Sequence, residues 1–308
     1  MRIAAMAAGA VGGYFGARMA AAGHEVYFVA RGAHRDAIVK DGLRIESTHG
    51  NLHLKDARVT DDPASIGPVD IVMFAVKLWD TEKAAALTRP LIGPNTRLIT
   101  LQNGVDSVER IAPIVGAEHV VGGIAFIATV IEKPGVISHT SQFAQMRCGR
   151  IDGKPDAQLS AFEQAAKAAK VDITMSERIN RDRWEKFIFL VALSGMTSAA
   201  RATIGPIMED ADTRGFFRKL MQETLAVGRA RGVDLSDAYI DERMEFAAKA
   251  PKTMKASMAH DLERGNRLEL DWLSGKVVQI GRETDVPVPA NEAVYDLLKL
   301  HRLGRASS

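Results

Sequence analysis

Apolar positions follow two different rules along this chain. Up to about residue 176, short apolar runs alternate with stretches of helical spacing. Arg2–Met6, Glu25–Val29, Asp70–Val76, Arg97–Leu101 and Val120–Ile131 read as strands. The run DIVMFAV at 70–76 has no polar interruption after Asp70, as expected of a strand buried on both faces. Helices are predicted at Val11–Ala22, Thr81–Leu91 and Val105–Val115, with Gly23 closing the first in a left-handed position. Residues 42–59 alternate around His49-Gly50 as a hairpin would. Val136–His139 and Phe143–Arg147 read as closing antiparallel strands, followed by a helix from Ala157 to about Lys170 and a strand at Val171–Thr174. Past Ser176 the spacing is helical throughout, roughly over 181–200, 209–231, 237–248, 252–280 and 290–302, with a loose tail at 304–308. Strands alternating with helices imply a parallel sheet. The expected architecture is α/β: a Rossmann-type domain at 1–176 followed by an all-α domain at 177–308.

The first strand, turn and helix carry a dinucleotide-binding pattern. G-x-G-x-x-G falls on Ala7-Ala8-Gly9-Ala10-Val11-Gly12, with alanine in the first glycine position. Gly9 would let the backbone approach a pyrophosphate, which helix N-terminal N–H groups then bind. Gly12 and Gly16 share one helix face for close packing on a strand. The bland alternative is a small-residue helix packed on a strand with no ligand. The second strand ends at Ala30-Arg31-Gly32, where an NAD site usually offers a carboxylate for the ribose. A guanidinium there suits a 2′-phosphate, so NADP(H) is the expected cofactor, against the reading of Arg31 as a solvated strand-end charge.

Composition narrows the partners. The 308 residues carry 40 Lys and Arg against 38 Asp and Glu, a net charge of +2 that argues against nucleic acid. Residues 3–22 imitate a secretion signal, but Arg18 and the glycines interrupt the apolar run, and no stretch is apolar enough to span a membrane. The single cysteine, Cys148, excludes an intrachain disulfide, and a cytoplasmic protein is expected. His49 and His53 lie on extended segments, where a spacing of four does not pair ligands, so no metal is assigned.

Further candidates come from strand ends and from the helical half. Ligands of a parallel sheet lie beyond the carboxyl ends of its strands, where Lys77, Asn103 and the Gly9–Val11 turn converge. In the helical half, Lys186, Leu190 and Ser194 form one stripe at the entrance of a segment that is apolar almost all round. A lysine at the edge of buried surface can serve as a proton donor near neutral pH; it can equally be an amphipathic side chain covering apolar surface. Arg178, Arg181 and Arg183 read as a solvated face. Ser257 and Asp261 can share a helix face. Glu269, set between Leu268 and Leu270, reads on pattern alone as a capping or ion-pairing residue.

Taken together, AAGAVGGYFGARMAAAGHEV with VARG, then AVKLWD, LQNGVDS, KPGVISH, RWEKF, SMAHDLERGNRLELDWLSG and VPVPANEAVYDLL resemble the ketopantoate reductase family in order and over nearly the whole chain. The resemblance implies NADPH-dependent reduction of a 2-oxo acid, with ketopantoate going to pantoate, in a cleft between a Rossmann domain and a helical domain. It makes Lys186 the general acid and Glu269 the residue that orients the substrate hydroxyl. Ala8, Gly9, Ala10, Val11, Gly12 and Arg31 would hold the cofactor, Lys77 and Asn103 would line the nicotinamide–substrate junction, and Leu190, Ser194 and Ser257 would border the substrate. Its partner would be a small 2-oxo acid, with a homodimer left open. The chain departs from the family at Ala7, at Leu190 and Ser194 where asparagines are common, and at Met254. Lost amides can redirect specificity. A related 2-oxo acid or an imine therefore stays open as the substrate, as does a regulatory NADP(H)-binding protein without turnover.

Overall fold

The computed structural model describes residues 1–305 and divides into two compact units, Met1–Ile179 and the remainder from Asn180. The first unit is built on one ten-stranded sheet. Its strands are β1 (Arg2–Met6), β2 (Glu25–Val29), β3 (Leu43–Ser47), β4 (Leu52–Leu54), β5 (Arg58–Thr60), β6 (Ile71–Phe74), β7 (Arg97–Thr100), β8 (Val120–Lys133), β9 (Val136–Gly149) and β10 (Asp172–Met175). Its helices are α1 (Ala10–Ala21), α2 (Gly32–Asp41), α3 (Thr81–Leu87), α4 (Ser107–Val115) and α5 (Ala157–Ala168). The order β4-β3-β9-β8-β7-β6-β1-β2-β5 is parallel from β8 through to β5, while β8 and β9 form a long antiparallel pair.

The uninterrupted apolar strands follow from burial on both faces. Ile3, Ala5, Ile71, Met73 and Ile99 join a core with Phe15 of α1 and Phe162 of α5. Their neighbours Ala4, Met6, Val72, Phe74 and Leu98 join a second core with Ala84 and Ala85 of α3 and Ile111 of α4. Successive side chains of a strand point to opposite faces, so one continuous run feeds both cores. Ile3–Ala5, part of the segment that imitates a signal, are fully buried in the sheet.

Several boundaries differ from the sequence pattern. Helix α2 was not predicted; Ile38 is its one buried residue, so it leaves no apolar period to read. Arg58–Thr60 leaves the hairpin and pairs in parallel with β2. The polar stretch 140–142 does not divide β9. It lies opposite a register shift in β8, where the Ser141 hydroxyl accepts the Ala128 N–H at 3.0 Å.

The second unit contains α6 (Ile179–Ala199, entered at its second residue), α7 (Ile204–Glu209), α8 (Ala211–Ala230), α9 (Ala238–Lys249), α10 (Ser257–Arg264), α11 (Ser274–Glu283) and α12 (Pro289–Leu298). The helix expected over 252–280 is broken. Gly265 ends α10 at φ +73°, and Asn266 folds back through its N–H to the Asp261 carbonyl and through its amide to the Asp261 carboxylate. Asp210 separates α7 from α8 and caps the latter by accepting the Thr213 N–H. Glu223 of α8 accepts the N–H groups of Ala290 and Asn291, closing the N-terminus of α12. Arg183, expected on a solvated face, is buried. In the expected loose tail, Gly304 and Arg305 donate backbone hydrogen bonds to His301 and Gly265; residues 306–308 lie outside the described residues. Among the described residues no helix is long and apolar enough to cross a membrane.

Candidate active site

In the first unit, β1 ends in a turn that starts α1 with Gly9 as its N-cap. Gly9 has φ −72°, and a Cβ placed on it would meet, among the described residues, no atom within 4 Å apart from those of its own chain neighbours and its own helix backbone. Neither dihedral nor packing therefore asks for glycine, and no side chain caps the helix. A backbone left bare at the positive end of a helix fits a phosphate-binding turn. Gly12 is glycine for another reason: a Cβ there would lie 2.3 Å from the Ala7 carbonyl oxygen. Ala7 is absent from the residues with positive φ, so alanine in the first glycine position carries no left-handed strain. Ala8 is buried and donates its N–H to Val29 at 2.7 Å, while Ala10 and Val11 are half-buried in the first turn.

The parallel strands bring the other cofactor-side candidates to the same edge. Arg31, at the end of β2, is the exposed N-cap of α2, and its guanidinium lies 3.8 Å from the Asp80 carboxylate. Lys77 follows β6, exposed, with its ammonium 5.5 Å from the centre of the Trp79 ring. Asn103 follows β7 and is half-buried. Gln102 ties these last two loops together, its buried amide donating to the Val76 carbonyl at 3.0 Å and to the Thr81 hydroxyl at 2.8 Å. Sequence reasoning passed over Gln102; the signal was a carboxamide directly after a strand buried on both faces.

In the second unit, Lys186 lies in the second turn of α6 and is half-buried. Burial pulls its ammonium down from 10.5 to about 8, and the negative charge of Glu269 pulls it back up. Glu269 reaches this environment because the expected helix breaks at Gly265. It lies in the buried stretch 268–270, which the Leu268 N–H anchors to the Arg302 carbonyl. Glu269 stands at the start of a short 3₁₀ turn, Leu270–Trp272, but its side chain does not cap that turn. Lys186, Leu190 and Ser194 share the stripe expected of them. Leu190 is half-buried, while Ser194 is fully buried and its hydroxyl has no hydrogen-bond partner among the described residues. Ser257 opens α10 and is exposed.

A lysine titrating near 8 beside a carboxylate can hold and release a proton at neutral pH. Cys148 offers no comparable chemistry, since burial pushes its thiol up to about 12. Among the described residues no three His, Cys, Asp or Glu side chains are grouped to hold a metal ion.

Comparison with known proteins accords with this architecture. The 2-dehydropantoate 2-reductase of Mesorhizobium japonicum is 28% identical, covering 97% of each chain. The crystal structure of a PanE/ApbA family ketopantoate reductase from Ralstonia eutropha JMP134 superimposes with a TM-score of 0.90 at 30% identity, covering 98% of each chain. A ternary structure of D-mandelate dehydrogenase with NADH and anilino(oxo)acetate shares the fold, with a TM-score of 0.89 over 98% of each chain at 17% identity. The model of ketopantoate reductase PanE/ApbA matches residues 3–153, and that of its C-terminal domain matches residues 178–302. Matched in both halves, the chain belongs to the ketopantoate reductase family.

Proposed function

We propose that the protein reduces a 2-oxo acid to the 2-hydroxy acid with NADPH, and that ketopantoate, giving pantoate, is the substrate. The observation that carries this reading is the pairing of Lys186 and Glu269 in the second unit, where burial and a carboxylate together set an ammonium near neutral pH. The bare Gly9 turn fits a dinucleotide, and Ala8, Gly9, Ala10, Val11 and Gly12 would hold its pyrophosphate. Arg31 would hold the 2′-phosphate, with Lys77 and Asn103 at the nicotinamide end. When bound, NADPH supplies the hydride.

The chain's own residues handle charge and protons. Lys186, roughly nine-tenths protonated at pH 7 with its pKa near 8, donates a proton to the carbonyl oxygen as negative charge develops there. Glu269 keeps that ammonium charged in a water-poor setting and accepts a hydrogen bond from the substrate hydroxyl. Ser194 places a buried hydroxyl further along the same stripe and Ser257 a hydroxyl at the start of α10, both for the polar end of the substrate.

A second reading is favoured by one observation: Leu190 puts an apolar side chain on the stripe one turn beyond Lys186. A 2-oxo acid with an apolar substituent would suit it. Following NADPH absorbance with a panel of 2-oxo acids separates the readings. Turnover best on ketopantoate supports the first, turnover best on an apolar 2-oxo acid supports the second, and binding without oxidation by any substrate overturns both.

A further inference from the structure

One side chain at the cofactor turn has no part in the mechanism above, yet it touches the peptide that shapes that turn. His34, in the first turn of α2, is half-buried, with Nε2 at 3.0 Å from the Ala8 carbonyl oxygen. Its other ring nitrogen, Nδ1, accepts the Gly135 N–H at 3.1 Å, from the turn between β8 and β9. A backbone N–H can only donate, so Nδ1 is unprotonated and Nε2 carries the hydrogen given to Ala8. Burial pushes the ring below its ordinary pKa, in keeping with a neutral imidazole.

The geometry follows from peptide planarity. The Ala8 carbonyl and the Gly9 N–H belong to one peptide unit, and in a trans peptide they point in opposite directions. The Ala8 N–H is held by Val29 on one side, and His34 holds the Ala8 carbonyl on the other. Fixing that carbonyl on the imidazole turns the Gly9 N–H to the opposite side of the peptide, away from His34. A flipped peptide would instead present a carbonyl oxygen to any anion approaching the turn.

We propose that His34 is a positioning residue for the cofactor: through the Ala8–Gly9 peptide it aims the Gly9 N–H at the dinucleotide pyrophosphate, and the Gly135 amide holds its ring in register. This rests on the dinucleotide reading of the Gly9 turn. The test compares two isosteric variants in the full chain. His34→Gln keeps a donor near the position of Nε2, whereas His34→Asn keeps only an acceptor near the position of Nδ1. The Kd for NADPH, KM and kcat are measured, with Tm as a check on folding. For His34→Asn the expected result is a rise in Kd and KM for NADPH of roughly tenfold, the worth of one oriented hydrogen bond, with kcat at saturating NADPH changed far less. His34→Gln should remain within about threefold of the wild type on the same reasoning. Equal binding by wild type and His34→Asn, or equal damage in both variants, overturns the proposal while leaving the dinucleotide reading intact. Failure of the wild type to bind either NADPH or NADH overturns both.

Discussion

Replacing Glu269 by glutamine removes a negative charge while keeping the shape of the side chain, and so tests what sets the Lys186 proton. Burial takes this ammonium from 10.5 to about 8 even with the carboxylate opposing the fall. Without that charge, burial acts unopposed and the pKa must drop further. A single opposing charge near a buried ammonium contributes ~1–3 kcal/mol, so the break should move down by about one to two pH units. The assay is kcat/KM for the oxo acid at saturating NADPH across pH 5.5–10. With Lys186 as the proposed proton donor, its acid form would be the active one, so the wild-type profile should be flat at low pH and fall as pH rises through about 8. In Glu269→Gln the descending limb should begin near or below neutrality. KM also rises if the carboxylate orients substrate, which is why the position of the break is read and not its height. A break that stays near 8 or moves upward would refute the electrostatic account of the pair.

Other expectations bear on the same residues. Lys186→Ala should lower kcat by roughly 10²–10⁴ with the fold intact by circular dichroism; an unchanged kcat removes it from the chemistry. Because the folded pKa of Lys186 is depressed, the unfolded chain binds more protons between about pH 8 and 10.5, so this group's contribution to stability rises with pH across that window. In denaturant titrations, the stability of Lys186→Met relative to the wild type should therefore fall from pH 7 to pH 10.5, by ~1–3 kcal/mol after allowing for solvent screening. Arg31→Ala should weaken NADPH by roughly 10–100-fold and NADH little, as measured by fluorescence titration; equal losses would sink the 2′-phosphate assignment. Gly12→Ala should cost ~1–3 kcal/mol of stability because a backbone oxygen must move, whereas Gly9→Ala should cost under about 1 kcal/mol and still weaken NADPH binding.

Legibility from sequence tracked how each residue earns its place. Strands such as Ile71–Phe74 were plain because two cores both demand apolar side chains. Helix α2 was hidden because Ile38 is its one buried residue, and with it went His34, whose two contacts come from residues 26 positions back and 101 ahead. The break at Gly265 escaped because amphipathic spacing continues across it, although the Gly-Asn pair was visible. That break matters to the site, since a continuous helix would carry Glu269 elsewhere. Lys186 could be placed at the edge of an apolar segment by spacing, but its proton affinity depends on how deeply the folded chain buries it and on the charge of a residue 83 positions away, which no local pattern records.

The bare helix start at Gly9 also sets a conflict between robustness and use. Asp or Ser at a helix N-cap normally adds stability over glycine by accepting a first-turn N–H, typically by a few tenths of a kcal/mol. A Cβ at Gly9 would meet no described atom within 4 Å beyond its chain neighbours and its own helix backbone, so packing does not forbid one. Selection for heat resistance in the absence of cofactor would therefore favour filling that position, and an aspartate there would set its charge where, on the proposed reading, the pyrophosphate enters. Stabilised variants of this protein should be selected with the dinucleotide present, so that the turn is judged in its loaded form and not as an uncapped helix.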